Sequence, residues 1–219
     1  MRLRNIPWAR EAVEKDSRCF DSPENTKGCW HRIFGRKAPI IIEVGMGKGR
    51  FIVEMALKHP EADFIGIERY ESVMVKALQK LDRRLKDGEP VPENVRFLRM
   101  DAADLPDFFE QDSIDRIYLN FSDPWPKARH AGRRLVSGRF LSVFEQVLKK
   151  DGSIEFKTDN RDLFDFGLSE TETAGWELLY STYDLHSDVG AMKDNVMTEY
   201  EEKFSAKGNK ICKFIIRKN

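Results

Sequence analysis

The sequence predicts an α/β fold: a mostly parallel, seven-stranded sheet with helices on both faces and a terminal antiparallel strand pair. Three observations carry this expectation. Short apolar runs alternate with longer helical patterns, as in chains built of strand–helix–strand units. A glycine-rich stretch follows the first apolar run and opens a helix. The last two apolar runs, 176–183 and 210–217, lack the long joining helix that a parallel crossover requires, so they pair antiparallel.

Taken in order, the strands fall at 40–44, 64–68, 95–100, 114–120 and 153–158, followed by the terminal pair. Helical patterns lie at 50–59, 71–86, 138–150 and 162–174. In the second of these, Val73, Ala77, Leu81 and Leu85 recur at four-residue steps and mark one apolar stripe. With 219 residues and 41 % hydrophobic content, one domain over 1–219 is the simplest organisation. Its first 35 residues read as a basic N-terminal arm and helix, with Arg2, Arg4 and Arg10 and no acid among the first ten residues.

Lys plus Arg and Asp plus Glu both total 37, giving zero formal net charge. Attraction to a polyanion must therefore be local. Three cysteines (Cys19, Cys29, Cys212) without a CxxC pair fit a reducing compartment and argue against a disulfide scaffold or a zinc site. The four histidines (His31, His59, His130, His186) show no metal-ligand spacing, so no metal is expected. The opening MRLRNIPWAR has no signal-peptide core and no stretch approaches a membrane span, which makes a cytoplasmic protein with no membrane partner the expectation. Monomer and homodimer both stay open.

In open parallel sheets, ligands gather beyond the carboxyl ends of the strands. Each of the first five strands ends near an acid: Glu43, Glu68, Asp101, Asp123 and Asp159. At the first, Gly45, Gly47 and Gly49 supply backbone that can approach a ligand closely, and the following helix N-terminus favours an anionic group. The dinucleotide fingerprint would need glycine where Arg50 stands, and no GK[ST] follows, so neither a nicotinamide dinucleotide nor a P-loop nucleotide fits. An acid just before the loop suits a cationic ligand. S-adenosylmethionine combines an ammonium, a sulfonium and a carboxylate. Glu68 would then hold the ribose hydroxyls bidentately, and Asp101 would accept from the adenine amino group.

The segment NFSDPWPKARHAGRR, from Asn120 to Arg134, joins an acid, two prolines and an indole to five basic residues: Lys127, Arg129, His130, Arg133 and Arg134. A carboxylate beside a flat ring can hold a base edge, and a cation run can hold phosphates. On its own the same segment also reads as a proline-stiffened turn with a solvated charged face.

Taken together, EVGMGKG, Glu68, Asp101, NFSDPWPKARH, the KTDN at Lys157 and the TEYEEKF at Thr198 resemble the bacterial tRNA (guanine-N7-)-methyltransferases, over nearly the whole chain. The resemblance implies a Rossmann-like class I methyltransferase fold. It also implies S-adenosylmethionine-dependent methylation of N7 of guanine 46 in the variable loop of tRNA. Carried over by motif, Glu43, Gly45, Gly47, Gly49, Glu68, Asp101 and Asp123 contact the cofactor, with Asp123 also the catalytic acid. Lys127, Asp159, Thr198, Glu199, Tyr200 and Glu201 contact the substrate, and Arg129, His130, Arg133 and Arg134 contact RNA. Where the family's basic run usually carries lysine, Gly132 stands here, which removes one expected phosphate contact. Without the resemblance, Thr198 and Glu201 read as the N-cap and third residue of a helix. Two rivals remain: a small-molecule methyltransferase whose basic run is mere surface, and an RNA-binding module with a decayed cofactor site.

Overall fold

The computed structural model describes residues 6–218, so Arg2 and Arg4 of the expected basic arm lie outside the described residues. The chain divides into two compact units, split after Glu110.

The N-terminal unit contains α1 (Ala9–Lys15), β1 (Cys19–Phe20), α2 (Trp30–Phe34), β2 (Ile40–Val44), α3 (Arg50–Lys58), β3 (Asp63–Glu68), α4 (Glu71–Lys86), β4 (Val95–Arg99) and α5 (Leu105–Phe108). Its strands lie in the order β1-β4-β3-β2, all parallel. Five of the six residues of β3 are buried without alternation, the pattern of a strand covered on both faces. Around it Ile42, Ile52, Phe64, Ile65 and Phe97 are fully buried. The two-residue β1 brings the described strands to eight rather than the expected seven; it is too short to leave a periodic signal.

Arg10 sits in α1, where its guanidinium pairs with Glu14 one turn on, at 2.8 Å on the surface. In α4 the buried face is Met74, Val75, Ala77, Leu78 and Leu81, while Leu85 is 70 % exposed. A strict four-residue step drifts about 40° per repeat around a helix of 3.6 residues per turn. The end of the expected stripe has therefore rotated into solvent.

The C-terminal unit contains β5 (Ile114–Asn120), α6 (Gly138–Val147), β6 (Leu148–Thr158), α7 (Arg161–Thr173), β7 (Glu177–Thr182), α8 (Val189–Met192), α9 (Glu199–Ser205) and β8 (Cys212–Arg217). Its strands lie in the order β5-β6-β8-β7. β5 and β6 are parallel, whereas β8 runs antiparallel to both β6 and β7, which is the expected antiparallel ending. β6 begins five residues before the expected 153. Ile114 pairs with Leu148 and Arg116 with Ser153, so Lys149–Lys150–Asp151–Gly152 bulges within the strand instead of extending the helix before it.

Candidate active site

In the N-terminal unit the strand register levels the carboxyl ends of β2, β3 and β4. Val44 pairs with Ile67, Ile67 with Leu98, and Glu68 with Arg99. Glu43, the glycine loop, Glu68 and Asp101 thus share one edge of that unit's sheet. Glu43 is only 2 % exposed. Gly45, Gly47 and Gly49 all have positive φ, from 56° to 78°. A Cβ on Gly45 or Gly47 would meet nothing within 4 Å, whereas one on Gly49 would lie 2.8 Å from the Ala77 side chain in α4. The first two glycines therefore leave space open above the loop, and the third lets the start of α3 pack on α4.

The loop is tied to β3 by the Gly45 and Met46 amides, both donating to the Ile67 carbonyl at 2.9 Å. Glu68 is held by backbone. Its Oε1 accepts from the Arg69 and Tyr70 amides at 2.9 and 3.1 Å, and its Oε2 from the Gly47 amide at 3.2 Å. Burial pushes this carboxyl above its usual range, and the three amide bonds offset that only in part. Because Oε1 already carries two donors, Oε2 is the oxygen with a lone pair to spare. The expected bidentate grip on a ribose narrows to that atom. Asp101 caps the short turn after β4, Oδ1 accepting from the Ala103 amide at 3.1 Å, while Oδ2 pairs with the Arg69 guanidinium at 2.9 Å. Arg69 in turn lies over the Tyr70 ring.

In the C-terminal unit Asn120 and Lys157 are register partners near the ends of β5 and β6, so Asp123 and Asp159 follow from the same edge. Asp123 is exposed. The segment around it is conformationally unusual: Phe121 and Trp125, two residues to either side, have φ of 52° and 39°. Bulky residues seldom adopt positive φ, and such backbone tends to mark functional segments. Trp125 has the His130 ring edge-on at 5.7 Å and the Arg133 guanidinium over it at 5.0 Å. Arg134 turns inward, donating to the Pro124 carbonyl at 3.0 Å and the Trp125 carbonyl at 3.2 Å and lying over the Phe166 ring. Lys127, Arg129 and Arg133 are exposed, on or beside a short 3-10 turn, Ala128–Arg133. One basic run thus divides into a brace and an outward-facing set.

Asp159 is half-buried, and its Oδ2 accepts from the Asn209 amide at 2.9 Å and the Tyr200 hydroxyl at 3.4 Å. Tyr200 sits between the Phe121 and Phe204 rings, with centroids at 4.8 and 4.1 Å. Thr198 is the N-cap of α9, accepting from the Glu201 amide at 2.9 Å. Glu199 is half-buried in the first turn of α9. The cap is as expected from sequence, but Glu201 does not reach back to complete a capping box. It is 0 % exposed, with Oε2 on the Lys157 ammonium at 2.7 Å and Oε1 accepting from the Asn195 amide at 2.8 Å. His186 also bonds Oε1, at 3.0 Å. Burial pushes the Glu201 carboxyl up, but the Lys157 charge and the bonds from Lys157, His186 and Asn195 hold it below its usual range.

Sequence reasoning missed Lys157 and His186 as parts of this cluster. Ser153, Glu155 and Lys157 alternate with Ile154 and Phe156, which reads as a strand with one wet face. Instead all five are buried, and the polar face is closed by pairing: Lys157 with Glu201, and Lys213 with Glu155 at 2.8 Å.

A family model described as "putative methyltransferase" matches residues 37–214. The tRNA (guanine-N(7)-)-methyltransferase of Lachnoclostridium phytofermentans is 49 % identical over 98 % of this chain and 97 % of its own. That of Lysinibacillus sphaericus is 50 % identical over 96 % and 95 %. Among solved structures, an antibiotic-related methyltransferase matches with a TM-score of 0.63 at 20 % identity, covering 89 % of this chain and 92 % of that one. The 16S rRNA methyltransferase KamB matches at 0.64 and 13 %, covering 87 % and 93 %. A 16S rRNA (adenine(1408)-N(1))-methyltransferase from Catenulisporales acidiphilia, solved as a mutant with cosubstrate SAM, matches at 0.58 and 15 %, covering 90 % and 92 %. These likenesses give the fold as the Rossmann-like one of class I methyltransferases. By sequence, the chain belongs to the tRNA (guanine-N(7)-)-methyltransferase family.

Proposed function

We propose that this protein transfers a methyl group from S-adenosylmethionine to N7 of guanine 46 in the variable loop of tRNA. It does so as a single cytoplasmic methyltransferase domain spanning 1–219. The observation that carries this proposal is an identity of 49 % to a tRNA (guanine-N(7)-)-methyltransferase over nearly the full length of both chains. The residues also fit the cofactor. An open glycine loop is flanked by Glu43, Glu68 and Asp101, a set of anionic acceptors suited to a ligand bearing two cations and hydroxyls. Glu68 Oε2 would take a ribose hydroxyl, and Asp101 the adenine amino group.

S-adenosylmethionine supplies, when bound, an electrophilic methyl group on a sulfonium that a nitrogen lone pair takes by in-line displacement. Guanine N7 has that lone pair at neutral pH, so no side chain has to remove a proton from it. The protein's work is positioning and electrostatics. Asp159 accepts from the guanine N1–H and amino group, leaving the opposite edge of the base free. Asp123, an exposed carboxylate on a strained loop, offsets the positive charge that the purine acquires. Lys127 and the first turn of α9, Thr198 to Tyr200, complete the base's surroundings. Arg129 and Arg133, with His130 beside them, meet phosphates, while Arg134 braces the loop that carries them.

Incubation with labelled S-adenosylmethionine and an unmodified tRNA transcript, then mild reduction and aniline treatment, cuts the strand at 7-methylguanine. A single cut in the variable loop is expected. Label transferred to low-mass acceptors with none in tRNA would overturn the proposal. Asp123→Ala should lower kcat at least ~100-fold while leaving the thermal melt unchanged. Wild-type turnover would remove Asp123 from the mechanism.

A further inference from the structure

Three segments assigned above to the guanine meet at one residue that has no role in that assignment. Lys157 is 0 % exposed on β6. Its backbone carbonyl accepts from the Phe121 amide at 2.8 Å, two residues before Asp123, where the chain takes positive φ. Its ammonium donates to Asn195 Oδ1 and the Val196 carbonyl, each at 3.0 Å, and to Glu201 Oε2 at 2.7 Å. Those bonds fix the turn that begins α9, whose Tyr200 reaches Asp159. Asp159 itself lies two residues along the chain from Lys157.

Stability alone is a poor reason for this arrangement. A buried ion pair roughly breaks even against an apolar pair of similar volume, because desolvating both charges cancels most of their attraction. A three-donor ammonium saturated by three acceptors does something an apolar contact cannot, which is to select one placement of the segments bearing those acceptors. Glu201 is saturated in the same way by Lys157, Asn195 and His186, so it acts through the placement of α9.

We propose that Lys157 is a positioning residue for methyl transfer, its ammonium setting where the Thr198–Tyr200 turn stands with respect to Asp159 on its own strand and to the Asp123 loop that its backbone carbonyl holds. The proposal rests on the tRNA reading above. The test is a double-mutant cycle in the full-length protein: Lys157→Met, Glu201→Gln and the two combined. Turnover on unmodified tRNA is measured per molecule competent to bind S-adenosylmethionine, as counted by equilibrium dialysis. Each single variant should lose ~100-fold in kcat, the scale of a misplacement near 1 Å. The combined variant should lose about the same factor rather than the ~10⁴-fold product, since two residues acting as one unit are not additive. Affinities for tRNA and for S-adenosylmethionine should stay within about threefold.

A purely architectural role predicts otherwise: fewer competent molecules, each turning over at the wild-type rate. That result, or full additivity, overturns the proposal. If Lys157→Met does not fold, the combined variant, which leaves no buried charge unpaired, decides by the same per-site kcat. Absence of tRNA methylation by the wild-type protein would instead overturn the underlying reading, so the two failures are distinguishable.

Discussion

Arg129 and Arg134 show how much a residue's type leaves open. Both belong to one basic run and are indistinguishable as charges in the sequence. Arg129 is exposed, whereas Arg134 is half-buried on Phe166 and donates to two carbonyls of the Asp123 loop. Losing two hydrogen bonds from a charged donor costs ~1–3 kcal/mol. Arg134→Ala should accordingly lower the melting temperature and turnover together. Arg129→Ala should leave the melt alone, weaken tRNA binding and reduce the slope of log affinity against log salt by about 1. Filter binding across a salt series measures this, and an unchanged slope would remove Arg129 from the phosphate contacts. Charge and spacing were legible in this run, but the inward turn of Arg134 depends on Phe166, far along the chain. Glu201 teaches the same lesson, since a helix-start pattern does not reveal that a lysine on another element claims its carboxylate.

Elements were more legible than contacts. β2, β5 and α4 occupy the expected residues, because apolar runs and a long amphipathic pattern are local signals. The departures have local causes too: a bulge in β6 whose first residues continue the helical pattern before them, and a strand β1 of two residues. The glycine loop is where element and site coincide, and it separates two uses of one residue type. Gly49→Ala forces positive φ on a residue whose Cβ sits 2.8 Å from Ala77. Strain and overlap together should cost ~2–4 kcal/mol, visible in a denaturant melt. Gly45→Ala adds a methyl to open space and should cost only ~1–2 kcal/mol, the strain alone. Its larger effect should be on S-adenosylmethionine affinity, which falls if the ligand lies over the loop. Unchanged affinity in equilibrium dialysis would place the cofactor elsewhere.

At the scale of the molecule, a formal charge of zero hides carboxylates, one half-buried and one fully buried, that respond to acid in opposite ways. Glu68 is shifted up by burial, which its amide bonds do not fully offset. Its folded form binds a proton more readily than the unfolded chain. The stability it contributes is present at low pH and lost as pH rises through its folded value. Glu201 is fully buried, but its bonds to Lys157, His186 and Asn195 outweigh that burial and shift it down. Its contribution is present above the ordinary carboxylate range and lost as pH falls through its folded value. Acidification from neutrality therefore removes the Glu201 contribution while Glu68 partly compensates. Glu68→Gln, which deletes the compensating proton uptake, should steepen the loss of melting temperature on acidification. The combined Lys157→Met and Glu201→Gln variant should flatten it. Parallel melts of the three proteins from pH 7 downward distinguish these slopes, and identical slopes would mean that neither carboxylate governs acid stability.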